Sequence, residues 1–205
     1  KKNLGDEYIQ EVLSQSSESP KKIKVVLDCG NGSAGEIAPK LIRALGYEVI
    51  ELFCEIDGNF PNHHPDPGKV ENLQDLVQAV QENSADVGIA FDGDGDRLGV
   101  VTEKGEIIFP DQLMMIFTKD VLKNFPGKEI VFDVKCTNLL SNIIKETGGI
   151  PVMSPTGHFH IKNTLKQTNA PLAGEMSGHI FFNDKWHGFD DGHYSAFRLL
   201  EIMND

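Results

Sequence analysis

Asp92, Asp94 and Asp96 stand at every second position of the run Phe91-Asp92-Gly93-Asp94-Gly95-Asp96-Arg97, with a glycine in each gap. Apolar stretches flank it, Val87-Gly88-Ile89-Ala90-Phe91 before and Leu98-Gly99-Val100-Val101 after. Both read as short buried strands, so the acidic run is the turn at the end of a strand. In a straight strand, residues two apart share a face but stay spread along it. Glycine admits backbone angles closed to other residues, so the chain can curl and bring the three carboxylates together. At about 4 Å two carboxylates repel by roughly 4 kcal/mol at an effective dielectric of about 20, and three carboxylates make three such pairs. The loop therefore either splays into water or holds a cation. An all-oxygen donor set suits a hard ion, Mg²⁺ first, then Mn²⁺ or Ca²⁺.

Two other readings use the same residues. The spacing fits part of a calcium EF-hand with Glu103 as the closing ligand, but Arg97 occupies the position that must be glycine, and strands rather than helices flank the loop. A haloacid-dehalogenase-like phosphatase also places Asp-x-Asp after a buried strand, with the first Asp as nucleophile. That pattern continues Gly-Thr, whereas Gly95-Asp96 follows here, so an Asp-nucleophile phosphatase is the runner-up. A non-catalytic module that binds a divalent ion or a sugar is the third possibility.

Cations for an anionic ligand come from the second half of the chain. Lys135 follows a strand, His158 stands at a strand-to-helix turn, and His179 follows Gly174-Glu175-Met176-Ser177-Gly178. Open α/β sheets bind ligands at the carboxyl ends of their strands. Glu175 and Ser177 are two apart between glycines, a carboxylate and a hydroxyl that can read vicinal sugar hydroxyls. Trp186, with Lys185 and His187 beside it, is either a sugar-stacking tip or a core anchor. His63 and His64 are adjacent and so point apart, which reads as solvated loop residues. Gly30, Gly32 and Gly35 match GxGxxG after a strand, with Glu51 about where a ribose-binding acid would lie, but a tight strand-to-helix turn needs the same glycines.

These residues hang on an alternation of strands and helices. Apolar spacing predicts a helix over 5–15, a strand over 23–28, a helix through Leu45 and a strand over 47–53. A long loop over 55–68 follows, in which three prolines exclude helix and central strand. Next come a helix over 71–81, strands over 86–91 and 98–102, and a hairpin turn at Lys104-Gly105. Beyond Pro110 the pattern repeats: a helix to Leu122 with Asp111 as its N-cap, a strand over 128–134, a helix over 138–147 and a strand over 150–153. A helix from His158 to Leu165 or Gln167, short strands at 172–173 and 179–182, and a helix capped by Asp190-Asp191-Gly192 complete it. This is an α/β fold of two consecutive domains, each a mixed β-sheet covered by helices. The first helix dissolves into a Ser-rich linker and reads as the end of something upstream.

The 205 residues carry 19 basic and 31 acidic side chains, a net charge of -12, with 40% hydrophobic and 24% charged residues. No basic footprint for nucleic acid, no polybasic membrane segment and no apolar run long enough to span a bilayer is present. Cys29, Cys54 and Cys136 lack any CxxC spacing and read as reduced cysteines of a cytoplasmic protein.

Taken together, Asp92-Gly93-Asp94-Gly95-Asp96-Arg97, Val134-Lys135-Cys136, Thr156-Gly157-His158 and Gly174-Glu175-Met176-Ser177-Gly178-His179 resemble the motifs of the α-D-phosphohexomutase family, in its bacterial phosphomannomutase/phosphoglucomutase branch. The turn at Asp28-Cys29-Gly30-Asn31-Gly32 and the loop Phe60-Pro61-Asn62-His63 agree, and in that family the glycine turn binds no dinucleotide. The resemblance implies a four-domain enzyme of which this chain holds the central two: 1–18 as the end of the upstream domain plus linker, 19–108 as domain II with the metal loop, and 109–205 as domain III with the sugar loop. It implies interconversion of hexose 1-phosphate and hexose 6-phosphate through a phosphoserine and a bisphosphorylated sugar. In that scheme Asp92, Asp94 and Asp96 hold Mg²⁺, Arg97 steadies the phosphoserine, Lys135 and His158 contact the substrate as it reorients, Glu175 and Ser177 bind sugar hydroxyls, and His179 transfers a proton with the attacking hydroxyl. Met176, where hexosamine relatives carry Gln, leans toward glucose and mannose phosphates. The serine loop and the phosphate-clamping domain are expected in upstream and downstream domains, and the 205 residues alone are expected to be inactive.

Overall fold

The computed structural model describes residues 4–16 and 21–205; part of the Ser-rich linker, 17–20, lies outside them. The first sheet has the order β2-β1-β3-β4-β5, from β1 (Lys24–Asp28), β2 (Glu48–Leu52), β3 (Val87–Phe91), β4 (Leu98–Thr102) and β5 (Ile107–Ile108). Strands β1, β2 and β3 are parallel, and β4 and β5 are antiparallel additions. The second sheet has the order β7-β6-β8-β9, from β6 (Glu129–Asp133), β7 (Ile150–Ser154), β8 (Leu172–Gly174) and β9 (Ile180–Phe182). Here only β9 runs antiparallel. Both sheets are mixed, as the alternation of strands and helices predicts. The two-residue β5 was not expected, because so short an apolar pair carries no periodicity.

Alternation along the strands assigns each sheet two faces. Val26, Ala90 and Val101 pack with Leu73, Leu76 and Val80, the last two on α3 (Gln74–Glu82). Val25, Leu27, Ile89 and Phe91 face the opposite way into a core that continues without a break to Ile130, Phe132, Ile180 and Phe182 of the second sheet. The helices α2 (Ala38–Ala44), α4 (Pro110–Asn124), α5 (Asn138–Glu146) and α7 (Gly192–Asn204) add residues to this shared core. Helix α6 (His158–Thr168) covers the far face of the second sheet through Ile161 and Leu165. The two α/β units therefore meet across buried apolar surface, the term that dominates stable association.

Helix α1 (Leu4–Leu13) buries Ile9 and Val12 in that same core. Its apolar stripe thus finds cover inside this chain. The Tyr8 hydroxyl donates to Asp191 at 2.9 Å and the Tyr194 hydroxyl donates to Gln15 at 2.8 Å. One capping expectation is corrected. Phe109, not Asp111, is the N-cap of α4, and the Gln112 Oε1 accepts the Phe109 N–H at 2.9 Å. Asp111 is buried inside the first turn and instead accepts the Thr137 N–H at 2.9 Å. Asp191 does cap α7, accepting the Tyr194 N–H at 2.9 Å.

Candidate active site

In each sheet one interior strand ends in a fully buried aspartate, Asp28 on β1 and Asp133 on β6. Each carboxylate organises the loops beyond its strand, because buried acceptors must find donors. Asp28 accepts the Gly30 N–H at 2.9 Å and faces His63 Nε2 at 3.0 Å. Asp133 accepts the Met176 N–H at 3.2 Å, the Thr156 hydroxyl at 3.0 Å and the Cys136 thiol at 3.1 Å. The loop containing Glu175 is thereby anchored to the end of the central strand.

The acidic loop follows β3. Ligand oxygens of Asp92, Asp94 and Asp96 lie within 4.8 Å of one another, so the curl expected of Asp-Gly-Asp-Gly-Asp is formed. Gly95 has φ +82°, whereas Gly93 does not need a positive φ; its carbonyl is held by the Ser33 N–H at 2.9 Å. Asp92 is buried and orders the loop, its Oδ1 accepting the N–H groups of Gly95 and Arg97 at 3.1 Å and its Oδ2 the Arg97 Nε–H at 2.6 Å. Burial works against its charge, but the Arg97 side-chain and backbone hydrogen bonds hold Asp92 below the usual carboxylate range. A guanidinium on that oxygen suits a fixed ligand and opposes the nucleophile of the phosphatase reading.

Asp96 has the opposite environment. Burial, with the carboxylates of Asp92 and Asp94 beside it, pushes its carboxyl up to about 6 even though His179 pulls the other way. Its Oδ1 is buried without a hydrogen bond. Buried oxygens in that state are destabilising unless a ligand satisfies them. Together with exposed Asp94 and the all-oxygen donor set, they fit a hard divalent ion.

The second loop meets the first directly. Arg97 and His179 form an isolated antiparallel bridge, and the Leu98 N–H donates to the Gly178 carbonyl at 3.2 Å. Gly178 takes φ +101° beside the Leu98 carbonyl, where a Cβ would come within 3.3 Å of it. His179 Nδ1 lies 3.2 Å from Asp190 Oδ2 and 3.5 Å from Asp96 Oδ1. Burial disfavours the charged ring, but Asp190 and Asp96 raise its pKa above the ordinary value. The His158 ring stacks on His179 at 6.1 Å between centroids, and Lys162 Nζ pairs with Asp190 at 2.6 Å. Burial notwithstanding, His179 and Lys162 keep the Asp190 carboxyl well below the usual range.

Glu175 is buried, its Oε1 accepting the Gly157 N–H at 2.7 Å and its Oε2 lacking a hydrogen bond. Ser177 is half-buried in the same turn, and Lys135 is exposed just past the end of β6, the strand lying between β7 and β8 in the sheet. The carboxyl ends of β3, β6 and β8 therefore bring the acidic, lysine-bearing and Glu175 loops to one side of the molecule, with the His158 turn beside them.

Several partners could not be read from local spacing. Asp190 was legible only as a capping residue, and Lys162 carried no signal. Asp66 accepts Arg97 Nη1 at 3.0 Å from the proline-rich loop. His63 is not a solvated loop residue: its ring reaches Asp28 and its Nδ1 faces the His64 carbonyl at 3.0 Å, while His64 is exposed as expected. Trp186 is a core anchor, 7% exposed, stacked on Tyr194 and donating to Asp191 at 3.1 Å. Glu51 pairs with Arg43. Gly32 and Gly35 are used up by packing, since a Cβ would strike the Gly93 and Cys54 carbonyls.

The His63–Asp28 pair has a pH signature. The Asp28 hydrogen bond pushes the imidazole up to about 9, so its contribution to stability is complete below about pH 6.5 and lost as pH rises through about 9. The melting temperature of the chain will fall across that window, and His63→Gln will remove the fall. An unchanged slope in the variant would assign the effect elsewhere.

Comparison with known proteins places this geometry. Residues 6–105 match the family model for phosphoglucomutase/phosphomannomutase α/β/α domain II, and residues 109–205 match the model for α/β/α domain III. A phosphomannomutase/phosphoglucomutase of Pseudomonas syringae pv. tomato is 61% identical over 202 residues, covering 98% of this chain and 43% of that protein. Its counterpart from Pseudomonas aeruginosa is 64% identical over 184 residues, covering 90% and 40%. The crystal structure of a phosphoglucomutase/phosphomannomutase family protein from Burkholderia thailandensis superposes with a TM-score of 0.96 at 52% identity, covering 98% of this chain and 44% of that one. The chain spans less than half the length of these relatives. With both α/β/α units matched in order along nearly every residue, the chain belongs to the phosphoglucomutase/phosphomannomutase family, of which it carries domains II and III.

Proposed function

We propose that this chain is the metal- and sugar-binding centre of a phosphohexomutase, an intramolecular phosphotransferase that interconverts hexose 1-phosphate and hexose 6-phosphate, with mannose and glucose phosphates as substrates. The reaction passes through a phosphoserine and a bisphosphorylated sugar, and the serine and the phosphate clamp belong to upstream and downstream domains of the same polypeptide. One observation supports this most: the acidic loop and the Glu175 loop are stitched together at Arg97 and His179, so a metal site and a sugar site would share one wall.

Asp92, Asp94 and Asp96 would hold Mg²⁺. When bound, the ion supplies charge neutralisation at the oxygens of the transferring phosphoryl group. Arg97, fixed by Asp92 and Asp66, directs its remaining N–H groups at the phosphoserine. Glu175 Oε2, free of other donors, accepts from the sugar hydroxyls, with Ser177 beside it. Lys135 and His158 bind the substrate as it turns over in the site. Asp190 engages His179 at Nδ1, which leaves Nε2 to exchange a proton with the attacking hydroxyl. The three unbridged cysteines suit the reducing cytoplasm, where we place the enzyme; among the described residues no helix is long and apolar enough to cross a membrane.

The test separates binding from turnover. By calorimetry the purified chain will take up Mg²⁺ or Ca²⁺ weakly, and in a coupled glucose 6-phosphate assay it will show no mutase activity. The intact polypeptide will show both. Turnover by the 205 residues alone would contradict the assignment of the donor serine to another domain, and absence of metal binding by the intact protein would overturn the role of the acidic loop.

A further inference from the structure

Cys29 and Cys54 are separated in sequence by the helix α2 and the strand β2, yet their sulfurs lie 3.3 Å apart. They leave the carboxyl ends of two parallel strands in register, with Asp28 opposite Leu52 and the Cys29 N–H bonded to the Leu52 carbonyl at 3.1 Å. Both are free thiols, Cys29 fully buried and Cys54 partly exposed. A disulfide requires the sulfurs to approach by about 1.3 Å, to about 2.0 Å.

We propose that Cys29 and Cys54 are an oxidative modification site, a dithiol that a hydroperoxide converts to an intramolecular disulfide. The exposed member reacts first. The Cys54 sulfur attacks one peroxide oxygen, the O–O bond breaks, and the departing oxygen leaves as water after taking up a proton. Cys54 becomes a sulfenic acid. The Cys29 sulfur then displaces the sulfenic oxygen, which leaves as a second water with the Cys29 proton. Two thiols and one hydrogen peroxide give one disulfide and two waters, and a thiol reductant reverses the change. The hydrogen bond between the two sulfurs favours this order, lowering the pKa of Cys54 and raising that of Cys29. Cys136 is the internal control: it is buried, and burial together with its hydrogen bond to Asp133 raises its pKa, so it stays an unreactive thiol.

The bridge would join two supports of the acidic loop. The turn after Cys29 reaches Ser33, whose N–H holds the Gly93 carbonyl, and the segment after Cys54 carries Asp66, which holds Arg97.

The experiment exposes the native 205-residue chain to hydrogen peroxide, stops the reaction with a thiol-blocking reagent, and counts thiols and maps peptides. The expected result is loss of two of the three thiols, a mass decrease of two hydrogens, a linked Cys29–Cys54 peptide, and recovery with dithiothreitol. Cys54→Ser and Cys29→Ala, each checked for native circular dichroism, should form no intramolecular disulfide. In urea-unfolded chain the same link should form about tenfold or more slowly, since burial and neighbours set thiol reactivity. Oxidation of Cys54 to sulfinic acid with Cys29 still free would overturn the proposal, as would a link through Cys136 or to a second molecule.

Discussion

Asp96→Asn will have two effects of opposite sign. In the absence of divalent ions the variant will melt at a higher temperature than the parent at pH 7. With Mn²⁺ or Mg²⁺ it will bind on the order of 100-fold more weakly or worse, since even partners outside the metal's own ligand shell cost about 10–100-fold in affinity. The first effect follows from the carboxyl being pushed up to about 6 by burial and by its neighbours Asp92 and Asp94. A raised carboxyl pKa means the folded state resists ionisation, so the cost begins near pH 4 and is complete above about pH 6. An amide of the same shape removes it. The second effect follows from loss of one of three converging ligands. Thermal melts with and without metal, alongside calorimetry, read both. If the variant is destabilised without metal and binds as well as the parent, Asp96 is a structural residue and the loop is not a cation site.

In the intact polypeptide, His179→Gln should lower kcat by about 10²–10⁴-fold, the range associated with a positioned acid–base group, and leave KM about unchanged. The ring's surroundings support this. Asp190 Oδ2 at 3.2 Å and Asp96 Oδ1 at 3.5 Å flank Nδ1, and the backbone at His179 is tied to Arg97 in the bridge between the two loops. Glutamine keeps that backbone bridge while removing the titratable imidazole. Steady-state kinetics with glucose 1-phosphate, together with metal affinity of the same variant, give the result. A rise in KM with kcat preserved would make His179 a binding residue, and a parallel loss of metal affinity would make it a brace for the acidic loop.

The residues that depend on near neighbours were legible before any coordinates. Glycine spacing alone implied that three aspartates could curl together, and the continuous apolar runs on either side marked them as a strand-end turn. The same local logic found most strands and helices and the Asp191 cap. It erred or stayed silent where the deciding partner is remote in sequence. His63 read as solvated because Asp28, across 35 positions, leaves no trace in the loop's composition. From sequence Asp190 reads as a helix cap, Lys162 as nothing, and Trp186 as either a sugar contact or a core anchor; its stacking on Tyr194 decides for the core. Asp111 reads as a cap because Asp is common there, yet the Thr137 N–H, 26 positions away, claims it.

What the amino-acid order determined by itself is chemistry of short reach: which carboxylates stand together, which glycines permit the curl, and which turn offers a carboxylate and a hydroxyl two residues apart. Only the tertiary structure decided which of these turns share a wall, that the two sheets form one core, and which buried oxygens are left without donors. The reason is that backbone geometry restricts residues a few positions apart, whereas pairing across the chain follows from how whole sheets and helices exclude water from their apolar faces.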